Sequence, residues 1–200
     1  MTLRGVRGEH VEDLTKEMVE LVGSSTDPNM LGTLAITEAF RAFGEGRLAN
    51  AADAWRRTGE LLTEYRPVSL ARSTRAALWL GDAAAARADL AGVDASGLHG
   101  PAIEADRVTL RAGVAALDGR SADALALYRN ALQAWRDLGL AWDEALCGVD
   151  MATLLDPADP EVRAAADAAR DILVRLEAAP FVARLDAALA RTPEPVRQPA

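Results

Sequence analysis

The sequence predicts an all-α protein, an α-solenoid of about nine or ten helices paired as hairpins and stacked side by side. Three observations carry that prediction. Alanine supplies more than a fifth of the 200 residues and aromatics only 4%, a composition that favours helix and lets helix backbones approach closely. Runs of β-branched and aromatic residues of the strand type are missing, and apolar residues recur instead at the 3.6-residue helical period. Three short stretches also read alike: Gly46-Arg47-Leu48-Ala49-Asn50-Ala51, Gly81-Asp82-Ala83-Ala84-Ala85-Ala86 and Gly119-Arg120-Ser121-Ala122-Asp123-Ala124. Their glycines lie 35 and then 38 residues apart, and a period of that length built from two helices and a turn marks a helical-repeat architecture.

The elements follow in order. Val11, Leu14, Met18 and Leu21 share one face and predict a first helix over Glu9 to Val22. Gly23 to Asn29 is a turn, and Pro28 suits the start of a second helix reaching about Phe43, with Leu31, Leu34, Ala35, Ala39 and Ala42 inward. Gly44-Glu45-Gly46 breaks it, and Arg47 to Tyr65 forms its partner around Ala51, Ala52, Trp55 and Leu62. The second pair is Pro67 to Leu80 and Ala83 to Ala91, after which Gly92 to Gly100 reads as the longest irregular stretch. Pro101 opens a helix to Leu117, and Asp118-Gly119-Arg120 turns the chain. Ser121 is expected to cap the next helix, whose stripe of Ala124, Leu125, Tyr128, Ala131, Leu132, Trp135 and Leu138 is the cleanest amphipathic pattern present. Gly139 separates it from a helix over about Ala141 to Leu155 carrying Trp142, Leu146, Val149 and Met151. Asp159 is the expected cap and Pro160 the first-turn residue of the helix after that, with Val162, Ala165, Ala166, Ala169, Ile172, Leu173 and Leu176 on its stripe. A short terminal helix carries Phe181, Leu185 and Leu189. The whole divides into one domain over 1–191, with repeats at 28–65, 66–100, 101–138 and 139–178, a cap at 179–191, and a flexible tail at 192–200 that holds three prolines.

Set in register on the three glycines, small residues fall seven before (Ala39, Thr74, Ala112) and five after (Ala51, Ala86, Ala124), and large ones nine after (Trp55, Leu90, Tyr128). Small positions let paired helices cross closely, and the large one fills the groove between pairs. This resembles the tetratricopeptide pattern of anchors around a turn, without that family's early tryptophan and regular closing proline. A narrower resemblance runs through Ala122-Asp123-Ala124-Leu125-Ala126-Leu127-Tyr128, Ala134-Trp135-Arg136-Asp137-Leu138-Gly139, Asp143-Glu144-Ala145-Leu146, Asp150-Met151-Ala152-Thr153-Leu154-Leu155, Asp159-Pro160-Glu161-Val162 and Ala179-Pro180-Phe181-Val182. These residues look like the C-terminal helical-repeat region of large bacterial signalling ATPase, nucleotide-cyclase and LuxR-type transcriptional regulators. The resemblance implies a sensor or scaffold arm. The catalytic and ATPase modules of those regulators have no counterpart in this chain, so their activities do not carry over.

The formal charge of -8 disfavours direct nucleic-acid binding. No run of about 18 apolar residues predicts a membrane span, residues Met1 to Leu14 lack the apolar core of a signal peptide, and a single cysteine, Cys147, fits a reducing cytoplasm. Arg41 to Leu80 holds seven arginines against four acids, and Asp137 to Asp171 nine acids against two arginines. Such opposite-sign ends favour oriented docking, to a partner or between copies of this chain.

No motif predicts catalysis, a cofactor or a metal. Gly44-Glu45-Gly46-Arg47 lacks the spacing and the Lys-Ser/Thr ending of a phosphate loop. His10 and His99 are isolated, and Cys147 reads as a core thiol without a neighbouring base. Asp143, Glu144 and Asp150, followed by Asp156, Asp159 and Glu161, read as a solvated acidic face with helix caps. Of four tryptophans, Trp55 and Trp135 fit core stripes, which leaves Trp79 and Trp142 as candidates for an exposed partner or ligand contact. The expected function is a non-catalytic interaction or regulatory module that meets a protein partner, adjacent regulator domains or another copy of itself. The alternative is a sensor holding a small effector in the solenoid groove.

Overall fold

The computed structural model describes residues 7–9 and 12–191, and there the chain is all-helical, with ten α-helices, one short 3₁₀ turn and no strand among the described residues. The helices are α1 (Glu12–Val22), α2 (Pro28–Gly44), α3 (Leu48–Leu61), α4 (Arg66–Leu80), α5 (Ala83–Ala95), α6 (Pro101–Leu117), α7 (Ser121–Leu138), α8 (Ala141–Leu154), α9 (Pro160–Arg175) and α10 (Ala179–Leu189). His10, Val11 and the expected tail at 192–200 lie outside the described residues.

The repeated glycines share one stereochemistry. Gly46, Gly81 and Gly119 adopt φ of 75–76°, and the N–H of the next residue reaches back to a carbonyl five residues earlier: Arg47 to Ala42 at 2.8 Å, Asp82 to Ala77 at 3.0 Å, Arg120 to Ala115 at 2.9 Å. Gly139 closes α7 in the same manner, with Leu140 donating to Trp135 at 3.1 Å. This is the Schellman closure, which requires a left-handed residue and so selects glycine. The fifth such bend uses Glu177, at φ 59°, with Ala178 donating to Leu173 at 2.9 Å.

The anchor positions behave as their spacing predicts. All nine residues named above around the three glycines are buried, from Ala39 and Thr74 to Trp55 and Tyr128. Asp159 caps α9 by accepting from Glu161 N–H at 2.7 Å, and Cys147 is fully buried. Other expectations are corrected. Ser121 is the first residue of α7 and caps nothing, because the bend already commits Arg120 as the flanking residue. The Arg47–Tyr65 helix stops at Leu61, where Leu62 leaves helical φ/ψ, and Thr63–Tyr65 is a 3₁₀ turn. The helix expected to end at Ala91 continues to Ala95. Gly92 sits inside it at a close approach, where a Cβ would lie 2.6 Å from Leu70 Cδ1, so that glycine marks packing and not a break.

Consecutive helices pack together, most extensively α2 with α3, α3 with α4, α4 with α5, α6 with α7, and α8 with α9. Alternate helices also touch: α4 with α6, α6 with α8, and α8 with α10. Two further contacts join segments far apart in sequence. Helix α4 meets α8, and Phe43 at the end of α2 lies 5.4 Å, ring to ring, from Phe181 of α10. Repeats that are not neighbours in sequence are therefore in contact. The aromatic rings of Phe43, Trp79, Trp142 and Phe181 bridge the ends.

Candidate functional site

Helix α4 lies at the centre of these contacts, and one of its faces is unusual. Val68, Ala71, Arg72 and Arg75 fall at i, i+3, i+4 and i+7, so two arginines share a stripe with two apolar residues. Opposite them, α8 presents Trp142, Asp143 and Leu146, α6 presents Asp106, and α2 and α3 present Phe40, Phe43 and Trp55. Together these side chains line a cavity of about 140 Å³.

One turn further along both helices lies a buried polar cluster. Asp150, with no exposed surface, accepts from Arg75 Nε at 3.1 Å and from Trp79 Nε1 at 2.6 Å. Burial pushes the Asp150 carboxyl up, and Arg75 and Trp79 oppose that shift. Burial works against the Arg75 charge, but the carboxylates of Asp150, Asp106 and Asp143 outweigh it and hold the guanidinium above its ordinary value. Arg75 is only 5% exposed, and its Nη2 has no hydrogen-bond partner. Arg75 is also one of the residues lining the cavity, so its guanidinium is placed to meet a ligand acceptor there.

The rest of the lining divides by charge. Arg72 is exposed, and its guanidinium carbon lies over the rings of Phe40 and Trp55 at 4.8 and 4.9 Å. Asp106 and Asp143 are half-buried and have no hydrogen-bonded or ion-paired partner among the described residues. Burial pushes the Asp106 carboxyl up to about 6, with Asp143 and Asp150 adding to the rise and Arg75 and Arg72 opposing it.

The two sequence candidates are placed unequally. Trp142 is half-buried, lines the cavity and meets Phe181 edge-on at 5.0 Å. Trp79 is not an exposed contact: it is 8% exposed, stacked on Phe43 at 4.9 Å and bonded to Asp150. Its other side lines a wider, open pocket of about 610 Å³ beside Gly46, Thr153 and Arg184, with the Arg184 guanidinium 4.7 Å above its ring. Trp55, read as core, is buried and also lines the cavity. Asp150 does not belong to a solvated acidic face, because it follows Leu146 by four residues and so points to the same side of α8. Part of the charge asymmetry along the chain is consumed internally by Arg75–Asp150. Sequence reasoning missed Arg72, Arg75, Asp106, Phe40 and Phe43. The available signal was the pair of arginines on an otherwise apolar α4 stripe.

Cys147 and Tyr128 flank the buried cluster, and burial pushes both well above their ordinary values, which keeps the thiol protonated and unreactive. Among the described residues no group of three His, Cys, Asp or Glu is gathered to hold a metal ion, and no helix is long and apolar enough to cross a membrane. In comparisons with known proteins, no family model matches the chain, and no curated protein and no solved structure matches it either.

Proposed function

We propose that this chain is a non-catalytic regulatory module, a tetratricopeptide-like stack of helical hairpins that binds a small effector in the cavity between α4, α6 and α8. The observation that carries this reading is the aromatic-walled cavity with the buried Arg75 side chain among its lining residues. The order of helix contacts and the shared closure of the bends support the repeat architecture. The resemblance of the last 85 or so residues to regulator arms supports a place in cytoplasmic signalling, with occupancy of the cavity passed to a protein partner or to adjacent domains. The cavity volume of about 140 Å³ favours a small molecule over a peptide at this position.

A second reading, a protein-interaction module, draws on a separate feature. Val19, Leu31, Leu34 and Ala35 line an apolar groove of about 360 Å³ between α1, α2 and α3, and Val19 and Leu21 are exposed nearby.

A thermal-shift screen of soluble metabolites tests the first reading. A ligand at 100 times its dissociation constant adds about 2.7 kcal/mol, which raises Tm by roughly 5–10 °C for a chain of this size. The expected result is a saturable rise that Trp142→Ala abolishes. No shift with any compound, in a wild-type protein that unfolds cooperatively, overturns the reading.

A further inference from the structure

We infer that the cavity is built for a small zwitterion carrying both an ammonium and a carboxylate, the chemistry of a free α-amino acid, with the ammonium directed to Asp106 and Asp143 and the carboxylate to the Arg75 guanidinium. This inference rests on the effector reading above and adds the ligand class.

Three independent features of the lining converge on it. The first is the donor. Arg75 lines the cavity and commits only its Nε to Asp150. A guanidinium edge of this kind matches a carboxylate oxygen better than any neutral acceptor. The second is the pair of carboxylates. Asp106 and Asp143 face the same cavity from α6 and α8, and neither has an ion-paired partner among the described residues. With Arg75 already matched to Asp150, Arg72 alone faces the two acids, so that end of the lining carries a local excess of negative charge. The ammonium end of a net-neutral ligand meets that excess and relieves the burial penalty that pushes Asp106 up. The third is the wall. Phe40 and Trp55 already hold the Arg72 guanidinium against their faces at 4.8 and 4.9 Å, and Trp142 offers another ring on the side of Asp143. Aromatic faces next to carboxylates receive cations in preference to anions.

Size narrows the class. A volume of about 140 Å³, with each water-sized position taking some 10–15 Å³ on this measure, accommodates on the order of ten non-hydrogen atoms. That suits a single amino acid.

The test is isothermal titration of the intact chain with each of the twenty L-amino acids at pH 7.5. The N-acetyl and carboxamide derivatives of whichever binds best follow. The N-acetyl form removes the ammonium and the carboxamide removes the carboxylate, so each end is probed without disturbing Arg75, whose substitution would strand buried Asp150. Asp106→Asn and Asp143→Asn probe the acidic end. Both variants are expected to fold, since burial already favours a neutral Asp106 and no hydrogen bond holds Asp143. The expected result is saturable binding of at least one amino acid, weakened about ten-fold or more by each blocked end and by each variant. Equal binding of an N-acetyl or carboxamide derivative overturns the assignment of that end. If no amino acid binds while another metabolite gives a Trp142-dependent shift, the ligand class is wrong and the effector reading survives. If neither the amino acids nor the metabolite screen gives any binding, both fall together.

Discussion

Asp150 carries no solvent-exposed surface, yet it accepts hydrogen bonds from Arg75 and Trp79, residues more than 70 positions earlier. Removing its carboxylate leaves a guanidinium buried without a counter-charge, so Asp150→Ala is expected to cost about 3–5 kcal/mol in urea denaturation; a loss below about 1 kcal/mol would show that the pair is not needed for stability. Asp106 behaves in the opposite sense. Its carboxyl moves from 3.8 up to about 6 on folding. Between those pH values the folded state binds more protons than the unfolded one. The group's contribution to stability is therefore most favourable below about pH 4, declines as pH rises through 6, and stays low above it. Asp106→Asn removes the decline. The variant should match the wild type near pH 4 and exceed it by about 1–3 kcal/mol at pH 7.5, and a variant less stable than wild type at pH 7.5 would contradict this account. At the fifth bend, Glu177 holds a left-handed backbone that glycine adopts at the equivalent positions. Its ion pair with Arg7, at 3.2 Å, is exposed and weak. Glu177→Gly should raise stability by roughly 0.5–1 kcal/mol, read as an increase in urea midpoint at unchanged m-value.

Helix pairs differ in how closely their backbones approach, and glycine substitutions separate the cases. In α8, a Cβ at Gly148 would lie 2.7 Å from the Ala165 carbonyl oxygen and 2.7 Å from Ala169 Cβ on α9. Neither is the mobile end of a side chain, so the two helices must separate. Gly148→Ala should destabilise by about 1–3 kcal/mol even after the gain in helix propensity. At Gly92 the obstacle is the tip of Leu70, which can rotate away, so Gly92→Ala should be close to neutral. Thermal melts of the two variants check the contrast, and equal losses would mean that the α8–α9 crossing is not backbone-limited. Helix α4 is the element that sequence patterning describes least well. It buries Ser69, Ser73, Thr74 and Arg75 beside its apolar residues; Thr74 donates to the Leu70 carbonyl of its own helix at 2.8 Å, while Arg75 reaches Asp150 of α8. Ser73 donates to Asp89 of α5 at 2.6 Å, and Arg56 of α3 reaches the same carboxylate at 2.9 Å. A helix packed on several sides loses the single apolar stripe that marks an amphipathic surface helix, which is why Arg75 and Ser73 did not stand out.

At the scale of the molecule, the contact of Phe43 with Phe181 joins α2 to α10, and the α4–α8 contact joins what the sequence divides into the second and fourth hairpins. An open repeat array unfolds piecewise from its ends, because each unit rests only on its neighbours. Here the ends are coupled through a shared aromatic cluster, so calorimetry should give one transition whose van't Hoff and calorimetric enthalpies agree. Phe181→Ala should remove about 3–5 kcal/mol and split or broaden that transition. A sharp single transition in the variant would mean that coupling runs elsewhere. Phe43 belongs both to this aromatic cluster and to the cavity lining, which links the folding cooperativity of the chain to its proposed binding site.

The helical class, the bends at Gly46, Gly81, Gly119 and Gly139, and the burial of anchors such as Ala51, Trp55 and Tyr128 were legible from the chain alone. They depend on forces acting within about 40 residues: helix propensity, left-handed closure by glycine, and an apolar stripe at helical spacing. The meeting of Phe40 and Arg72 with Asp106 and Trp142 was not legible. It depends on how far successive hairpins rotate against one another, and that rotation is the summed outcome of side-chain packing over the whole chain. Tertiary structure alone therefore turned Trp79 inward, placed Asp150 beside Arg75, and set the Arg75 side chain among the lining residues of a cavity.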